Sequence, residues 1–260
     1  MTLTLRTQRS LQALVLAGLG LFLLQKAWDG TLYEYINQRF VWLIGPTAAG
    51  LLTLAALALP RPRRAEAAGH DDHQERTHDH DDSHGHAAGS QAGLWGLLAL
   101  AVPLALGLLI PARPLGTVAI ANRGINISVP LAAGGGAAGP WERAAGDRNV
   151  LDWVRAFNGT SDPSDYNGQA ADVIGFVYHG AGPAEEQFLV SRFVMPCCAA
   201  DATAVGVLVA WPGAAELADN GWVRVRGVMA VGSLGGRPTP LVEAAQVEGV
   251  AAPEQPYLYP

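Results

Sequence analysis

The chain has 260 residues and a formal net charge of −6, and 50% of its residues are hydrophobic. The apolar residues are concentrated in long runs with polar residues between them, which is typical of a membrane protein. Lysine and arginine form no dense cluster, so a nucleic-acid partner is disfavoured, because phosphate neutralisation needs grouped positive charge. Two adjacent cysteines cannot build a disulfide framework, so cysteine usage leaves the redox character of the compartment open.

Three apolar runs, at residues 11–28, 40–59 and 94–112, are long enough to cross a bilayer. At about 1.5 Å rise per residue, each reaches close to the hydrocarbon thickness of about 30 Å. The first run shares its basic start with signal peptides, but residues 25–29 lack a small-x-small cleavage pattern, which favours a retained anchor. The sequence therefore predicts a multi-domain membrane protein with three transmembrane α-helices, two within 1–60 and a third at 94–112.

Basic residues predict the orientation of these helices. Arginines flank the first run on its N-terminal side and the second run on its C-terminal side, at Arg6, Arg9, Arg61, Arg63, Arg64 and Arg76. The connection between the two runs holds only Lys26 and Arg39, offset by Asp29 and Glu34. The positive-inside rule then places the N-terminus and the 61–93 loop in the cytoplasm, and everything after about Arg113 outside.

The 61–93 loop is rich in histidine and acid and lacks large apolar residues in its central part. A segment of this composition cannot offset the entropy of folding, so we expect it to be disordered when empty. Imidazole and carboxylate are ligands for zinc and neighbouring divalent metals. The candidate ligands are His70, His73, His78, His80, His84 and His86. The alternative interpretation is a solvated spacer whose histidines are incidental.

Residues 113–148 are rich in Gly, Ala and Pro and are predicted to be a linker, with one short strand at 117–120. Asn149 and the apolar stripe after it predict a short helix at 150–157. Five strand-like runs follow, with a helical turn at 214–218 between the third and the fourth; they lie at 171–179, 187–195, 204–211, 222–231 and 240–247. This order is typical of an OB-like five-stranded barrel, so 149–260 is predicted to be an extracytoplasmic, mostly β domain.

Both cysteines, Cys197 and Cys198, follow Pro196 at the end of the second predicted strand, with Asp201 close behind. If the chain turns there, two sulfurs and a carboxylate could hold zinc or copper, and His179 could join them. A strained vicinal disulfide acting as a redox switch is a second possibility. In the structural alternative, one cysteine packs in the core and Asp201 caps a turn.

Arg192 precedes the cysteines on the same predicted strand. Its guanidinium could lower the pKa of the thiols, or it could face water. The chain has no Gly-x-Ser-x-Gly, phosphate-binding loop, His-Glu-x-x-His or obvious carboxylate pair. We therefore expect no enzyme activity.

Three segments of the C-terminal half, 192–201, 221–227 and 253–259, together with 35–40 and the histidine-rich loop, resemble the YcgQ-like bacterial family of permease subunits. The Cys-Cys-x-x-Asp pattern is the most specific element, and the mapped residues are Arg192, Cys197, Cys198 and Asp201. The resemblance implies a bacterial inner-membrane protein that works with a larger, YcgR-like integral membrane permease, with zinc as suspected cargo or signal. It implies no established reaction.

Two hypotheses about function remain. The first is an accessory subunit of a two-component permease that is linked to a divalent metal, with Zn²⁺ as the candidate ion. Its partners would be the lipid bilayer and an integral membrane permease. The second is a membrane-anchored scaffold or thiol-redox protein with no transport role.

Overall fold

The computed structural model describes residues 5–59, 99, 101–127, 143–180 and 183–260. The chain divides into two compact units. One consists of Met1–Gly30 and Val41–Pro111, and the other of Thr31–Phe40 and Ala112–Pro260. The predicted histidine-rich loop, including all six of its candidate ligands, lies outside the described residues.

The first unit is helical, with α1 at Leu5–Trp28, α2 at Ile44–Ala58 and a third helix, α3, at residues 101–109. Among the described residues, two segments, Arg9–Trp28 and Gln38–Ala58, are long and apolar enough to cross a membrane. The prediction of two apolar N-terminal helices is therefore confirmed. Most of the first half of the predicted third span lies outside the described residues.

Glycines bring the three helices into close contact. A Cβ atom added to Gly20 of α1 would lie 3.0 Å from Cγ of Leu52 in α2. One added to Gly107 of α3 would lie 2.6 Å from Cζ of Phe22 in α1. Small residues are common at helix contacts in membranes. The hydrophobic effect does not drive helices together there, and small residues allow the close van der Waals packing that does.

The second unit is built on a sheet of seven strands, which confirms the prediction of a mostly β C-terminal part. The strands are β1 at Ile125–Asn126, β2 at Ala170–Tyr178, β3 at Gln187–Val194, β4 at Thr203–Ala210, β5 at Trp222–Leu234, β6 at Arg237–Gly249 and β7 at Tyr257–Leu258. The five long strands coincide with the five predicted runs, and a 3-10 turn at Ala214–Glu216 lies between β4 and β5.

The five long strands pair in a closed ring. β2 pairs with β3, β3 with β4, β5 with β6, and β5 with β2, all antiparallel, while β4 and β6 are parallel. Both faces of β3 and β4 are buried along almost their whole length. The turn from β3 to β4 therefore starts and ends on the two most enclosed strands of the sheet.

The main core lies between the sheet and α5, at Val150–Gly159. Asn149 begins this helix as predicted, since its side chain accepts hydrogen bonds from the backbone of Leu151 (2.9 Å) and Asp152 (3.1 Å). The Asp152 side chain in turn accepts from the Asn149 backbone N–H, which completes a capping box. Trp153 is fully buried against the strands.

The prediction of a strand at 117–120 is wrong, because α4 occupies Thr117–Arg123. Val118 and Ile120 favour a strand by propensity, but Gly124 ends a helix here with φ 80° and donates to the carbonyl of Ile120. Ile120 is 1% exposed and packs with Phe176 and Phe193 in a second cluster outside the ring. Part of the predicted linker is therefore an ordered layer of the second unit.

Candidate metal centre

Cys197 and Cys198 lie in the turn of residues 195–202 that joins β3 to β4. One sulfur atom from each and a carboxylate oxygen of Asp201 all lie within 4.8 Å of one another. Neighbouring residues of a strand point to opposite faces, but β3 ends at Val194, before Pro196, so the turn brings both sulfurs together. Within the described ranges, this is the one such group of three potential ligands.

The three ligand atoms, all within 4.8 Å of one another, are near enough to form a zinc site after small shifts. With Zn–S distances of about 2.3 Å and Zn–O of about 2.0 Å, ligand atoms of a tetrahedral site lie about 3.5–3.8 Å apart. Cys197 and Asp201 are exposed and Cys198 is half-buried, so an ion could reach them from solvent. Three protein ligands at the surface would leave one tetrahedral position for water or another molecule.

Asp201 also stabilises the turn itself. Its Oδ1 atom accepts a hydrogen bond from the backbone N–H of Cys198 (3.0 Å) and a longer one from that of Cys197 (3.4 Å). The turn-capping role that we considered as the structural alternative is therefore present. It leaves the second carboxylate oxygen available, so capping and ion binding are compatible at this residue.

Local electrostatics keep the Cys197 thiol protonated in the absence of an ion. Desolvation raises its pKa, and the neighbouring Cys198 and Asp201 raise it further, while Arg39 lowers it. A thiol of this kind is a poor nucleophile, since the thiolate is the reactive form. A bound cation would reverse this by favouring the thiolate.

Residues 31–40 connect α1 to α2 in the sequence, yet they belong to the second unit and pack on the cysteine turn. The backbone N–H of Asn37 donates to the carbonyl of Cys197 (2.9 Å). The N–H of Ala199 donates to the carbonyl of Tyr35 (2.8 Å). The turn is therefore held by a segment more than 150 residues away in the chain, as the sequence separation of 158 between Asn37 and Met195 shows.

Arg123, the last residue of α4, holds the other side of the turn. Its Nη1 atom donates to the carbonyl of Ala199 (2.8 Å) and, at 3.3 Å, to that of Ala202. Sequence reasoning did not identify Arg123 or Asn37 as parts of the site. For Asn37 a signal existed, because the 35–40 stretch was among those that carry the family resemblance; for Arg123 there was none.

Arg192 does not face water. It is 7% exposed and donates to the carbonyls of Gln255 (2.7 Å) and Pro256 (2.9 Å), with its guanidinium 5.2 Å from the centre of the Trp222 ring. Burial lowers the pKa of Arg192 to about 10. The expectation that Arg192 faces water is wrong, because its side chain points to the C-terminal segment, which it anchors. An effect of Arg192 on the pKa of the thiols stays a prediction.

His179 is not part of the cluster. Its Nδ1 atom lies 2.9 Å from a carboxylate oxygen of Asp219, and its Nε2 atom lies 2.9 Å from the carbonyl oxygen of Ala214. Both ring nitrogens are therefore occupied. The residue follows the C-terminal end of β2, whereas the cysteines follow the C-terminal end of β3, and antiparallel pairing of these strands separates the two ends.

Comparison with known proteins places this arrangement in a family. Models described as the DUF1980 N-terminal domain and the DUF1980 C-terminal domain match residues 11–126 and 147–260. A Streptococcus mutans relative, 23% identical, carries the name of a two-component membrane permease complex subunit; the alignment covers 95% of this chain and 97% of the relative. The "UPF0703 protein YcgQ" of Bacillus subtilis is 29% identical over 37% of this chain and 35% of that protein.

No solved structure matches the chain. The two matched segments contain the apolar helices and the whole β-rich part, and the relatives agree with the resemblance found from the sequence. The chain therefore belongs to the DUF1980 family, whose members include YcgQ-like proteins.

Proposed function

We propose that this chain is a non-enzymatic accessory subunit of a two-component membrane permease that handles a divalent metal, with zinc as the first candidate. The name of the Streptococcus mutans relative supports the permease part, since that relative aligns over nearly the whole chain. The apolar helices support attachment to a membrane. The name of this relative as a permease subunit also favours an accessory role over catalysis.

The observation that carries the metal part is the grouping of Cys197, Cys198 and Asp201 within 4.8 Å in an exposed turn. Two thiolates and one carboxylate form a donor set that suits zinc. The soft thiolate ligands also suit copper. An open fourth position would let the ion be passed on to another protein. A closed structural zinc site would instead have four protein ligands.

The histidine-rich loop would be a second, separate ion-binding element. In the proposed orientation it lies in the cytoplasm, while the second unit is extracytoplasmic, so the two sites cannot share one ion. A flexible His/Asp segment would bind weakly and with little selectivity, as expected for a collector or sensor of ions.

The second unit would be an OB-like barrel that serves as a binding platform. The ring order β2–β3–β4–β6–β5, with β4 parallel to β6, supports this assignment, since OB folds are five-stranded Greek-key barrels. OB folds host many functions, so the assignment gives no activity by itself.

A partner is required because the predicted spans contain almost no ionisable residues. Polar side chains that line an ion pathway are the usual mark of a transporter helix. We propose that a YcgR-like integral membrane permease supplies that pathway, while this chain, a multi-pass protein of the bacterial inner membrane, supplies ion-binding sites.

Metal titration of the purified full-length protein in detergent tests the proposal. Zn²⁺ binding is followed by calorimetry, and the thiolate site by the absorption of bound Co²⁺. We expect Cys197→Ser/Cys198→Ser to abolish the thiolate–cobalt band while leaving the loop sites, and deletion of 70–86 to remove most sites while leaving the band. Asp165→Asn, at an exposed carboxylate away from the turn, is the control.

A band that survives in the double serine variant would overturn the cysteine site, and an unchanged stoichiometry after the deletion would overturn the role of the loop. If the wild type binds no metal but its two thiols become resistant to alkylation after mild oxidation, the thiol-redox alternative replaces the proposal. Co-purification of the partner permease, and the metal found with it, would test the assignment to a complex.

A further inference from the structure

The side chain of Asn37 makes three hydrogen bonds beside the cysteine turn. Its Nδ2 atom donates to the carbonyls of Met195 (2.9 Å) and Pro196 (2.9 Å). Its Oδ1 atom accepts from the backbone N–H of Arg39 (3.1 Å). Asn37 is 3% exposed, and its hydrogen bond to Met195 is buried, so the loss of that bond would be costly.

These bonds hold the residues that lead directly into the ligands. Met195 and Pro196 precede Cys197, whose own carbonyl accepts from the Asn37 backbone N–H. Ile36 forms an isolated antiparallel bridge with Cys198. The backbone of the turn is thus fixed by residues 36 and 37 at four consecutive positions, 195 to 198.

We propose that Asn37 is a positioning residue for the ion site, and that ion binding at Cys197, Cys198 and Asp201 is coupled to docking of residues 31–40. This inference rests on the proposed function, since it needs an ion at the cysteine turn. The reason is thermodynamic linkage. If the docked segment holds the turn in the geometry that binds an ion, the bound ion must stabilise docking by the same factor.

Coupling of this kind would carry information to the helices. Residues 31–40 are the connection between α1, which ends at Trp28, and α2, which begins at Ile44. A change in how firmly this segment docks therefore changes the tether between two apolar helices. Residues 31–40 thus both contact the cysteine turn and link α1 covalently to α2.

Hydrogen exchange of the full-length protein in detergent provides a test that leaves Asn37 unchanged. The amides of Asn37 and Ala199 donate across the contact, so their exchange reports docking. We expect saturating Zn²⁺ to slow exchange in peptides covering 31–40 and 195–202, and Cys197→Ser/Cys198→Ser to abolish the effect. Unchanged exchange in 31–40 when Zn²⁺ occupies the thiolate site would overturn the coupling.

Asn37→Ala tests the positioning role. We expect its Zn²⁺ affinity at the thiolate site to fall about tenfold or more, with stoichiometry unchanged, since removal of second contacts around metal ligands typically costs 10–100-fold. Gln38→Ala, at the exposed neighbouring residue, is the matched control and should bind as the wild type does. An Asn37→Ala protein that stays folded and binds Zn²⁺ with wild-type affinity would overturn the inference.

The two proposals fail in different ways. If wild-type protein shows no thiolate-bound metal at all, the proposed function fails. If metal binds through the cysteines but neither exchange in 31–40 nor the affinity of Asn37→Ala changes, only the coupling fails. Should Asn37→Ala not fold, the wild-type exchange experiment decides alone.

Discussion

Glu34 is a carboxyl group in the docked segment that is poorly suited to carry a charge. Its Oε2 atom is buried and has no hydrogen-bond partner in the part of the chain that the structure describes. Burial raises the pKa of Glu34. Burial is also the main cause that raises the pKa values of Tyr257 and Tyr259 on the C-terminal segment, and the nearby Glu34 charge raises them further. The pKa of Tyr257 reaches about 12, so both tyrosines stay neutral near pH 7.

The raised pKa of Glu34 predicts that stability changes with pH. A carboxyl group whose pKa is higher in the folded state binds its proton more tightly there. The contribution of Glu34 to the stability of the folded protein is therefore fully present below its pKa in the unfolded chain, which is near 4.5. It is lost as the pH rises through its pKa in the folded protein. Glu34→Gln mimics the protonated form, so we expect it to raise the Tm at pH 7.5 and to leave the Tm at pH 4 nearly unchanged.

Melting of the full-length protein at several pH values measures this effect. The informative quantity is the difference in Tm between variant and wild type, because other titrating groups cancel in it. Glu185→Gln, at an exposed glutamate, should give a difference near zero throughout. A Glu34→Gln difference that does not vary with pH would contradict the prediction.

The sequence predicts the helices and strands whose residue patterns act over a short stretch of chain. The five long strands and α5 were predicted because alternating apolar residues and the Asn149 cap act over a few residues. The Cys-Cys-x-x-Asp grouping was visible for the same reason, since all three residues share one turn. The predicted strand at 117–120 failed because β-branched propensity is weaker than burial of Ile120 and the Gly124 cap.

Contacts between distant segments could not be predicted in this way. Neither the role of Asn37 nor that of Arg123 follows from local sequence, because their partners lie 158 and 76 residues away along the chain. Arg192 was misassigned because nothing nearby in sequence shows that the C-terminal segment returns to cover β3. The local donor set was thus predictable, whereas the contacts that position it required the tertiary structure.

Close packing of α1 with α3 gives a prediction about the helical unit. Because an added Cβ at Gly107 would lie only 2.6 Å from Cζ of Phe22, Gly107→Leu must displace the Phe22 ring or shift α3 relative to α1. Overpacking of this kind costs about 1–3 kcal/mol. We expect a lower unfolding temperature in detergent for Gly107→Leu.

At Gly50 of α2 an added Cβ meets nothing within 4 Å, so Gly50→Leu is the matched control and should change stability by less than about 0.5 kcal/mol. Equal stability of the two variants would show that α3 does not pack on α1.

At the scale of the whole molecule, the contacts of Asn37 constrain how often the chain crosses the membrane. Asn37 hydrogen-bonds to Met195 and Pro196, so the α1–α2 connection and the second unit must lie on the same side. If the Gln38–Ala58 segment crosses the bilayer, the 61–93 loop is on the opposite side. The chain must then cross once more before residue 112, and the apolar run at 94–112 is the segment available for that crossing.

Reporter fusions test this topology directly. Alkaline phosphatase, which is active only outside the cytoplasm, should be active when fused after Pro260 and inactive when fused at residue 75, while green fluorescent protein should show the opposite pattern. We expect the two fusion sites to differ in side because the predicted 94–112 span separates them, and the arginines around the loop predict which side is cytoplasmic. Phosphatase activity at both sites would mean that the 94–112 run does not span. Reversal of both results would keep three spans but invert the orientation, and would place the cysteine turn in the cytoplasm with the loop outside.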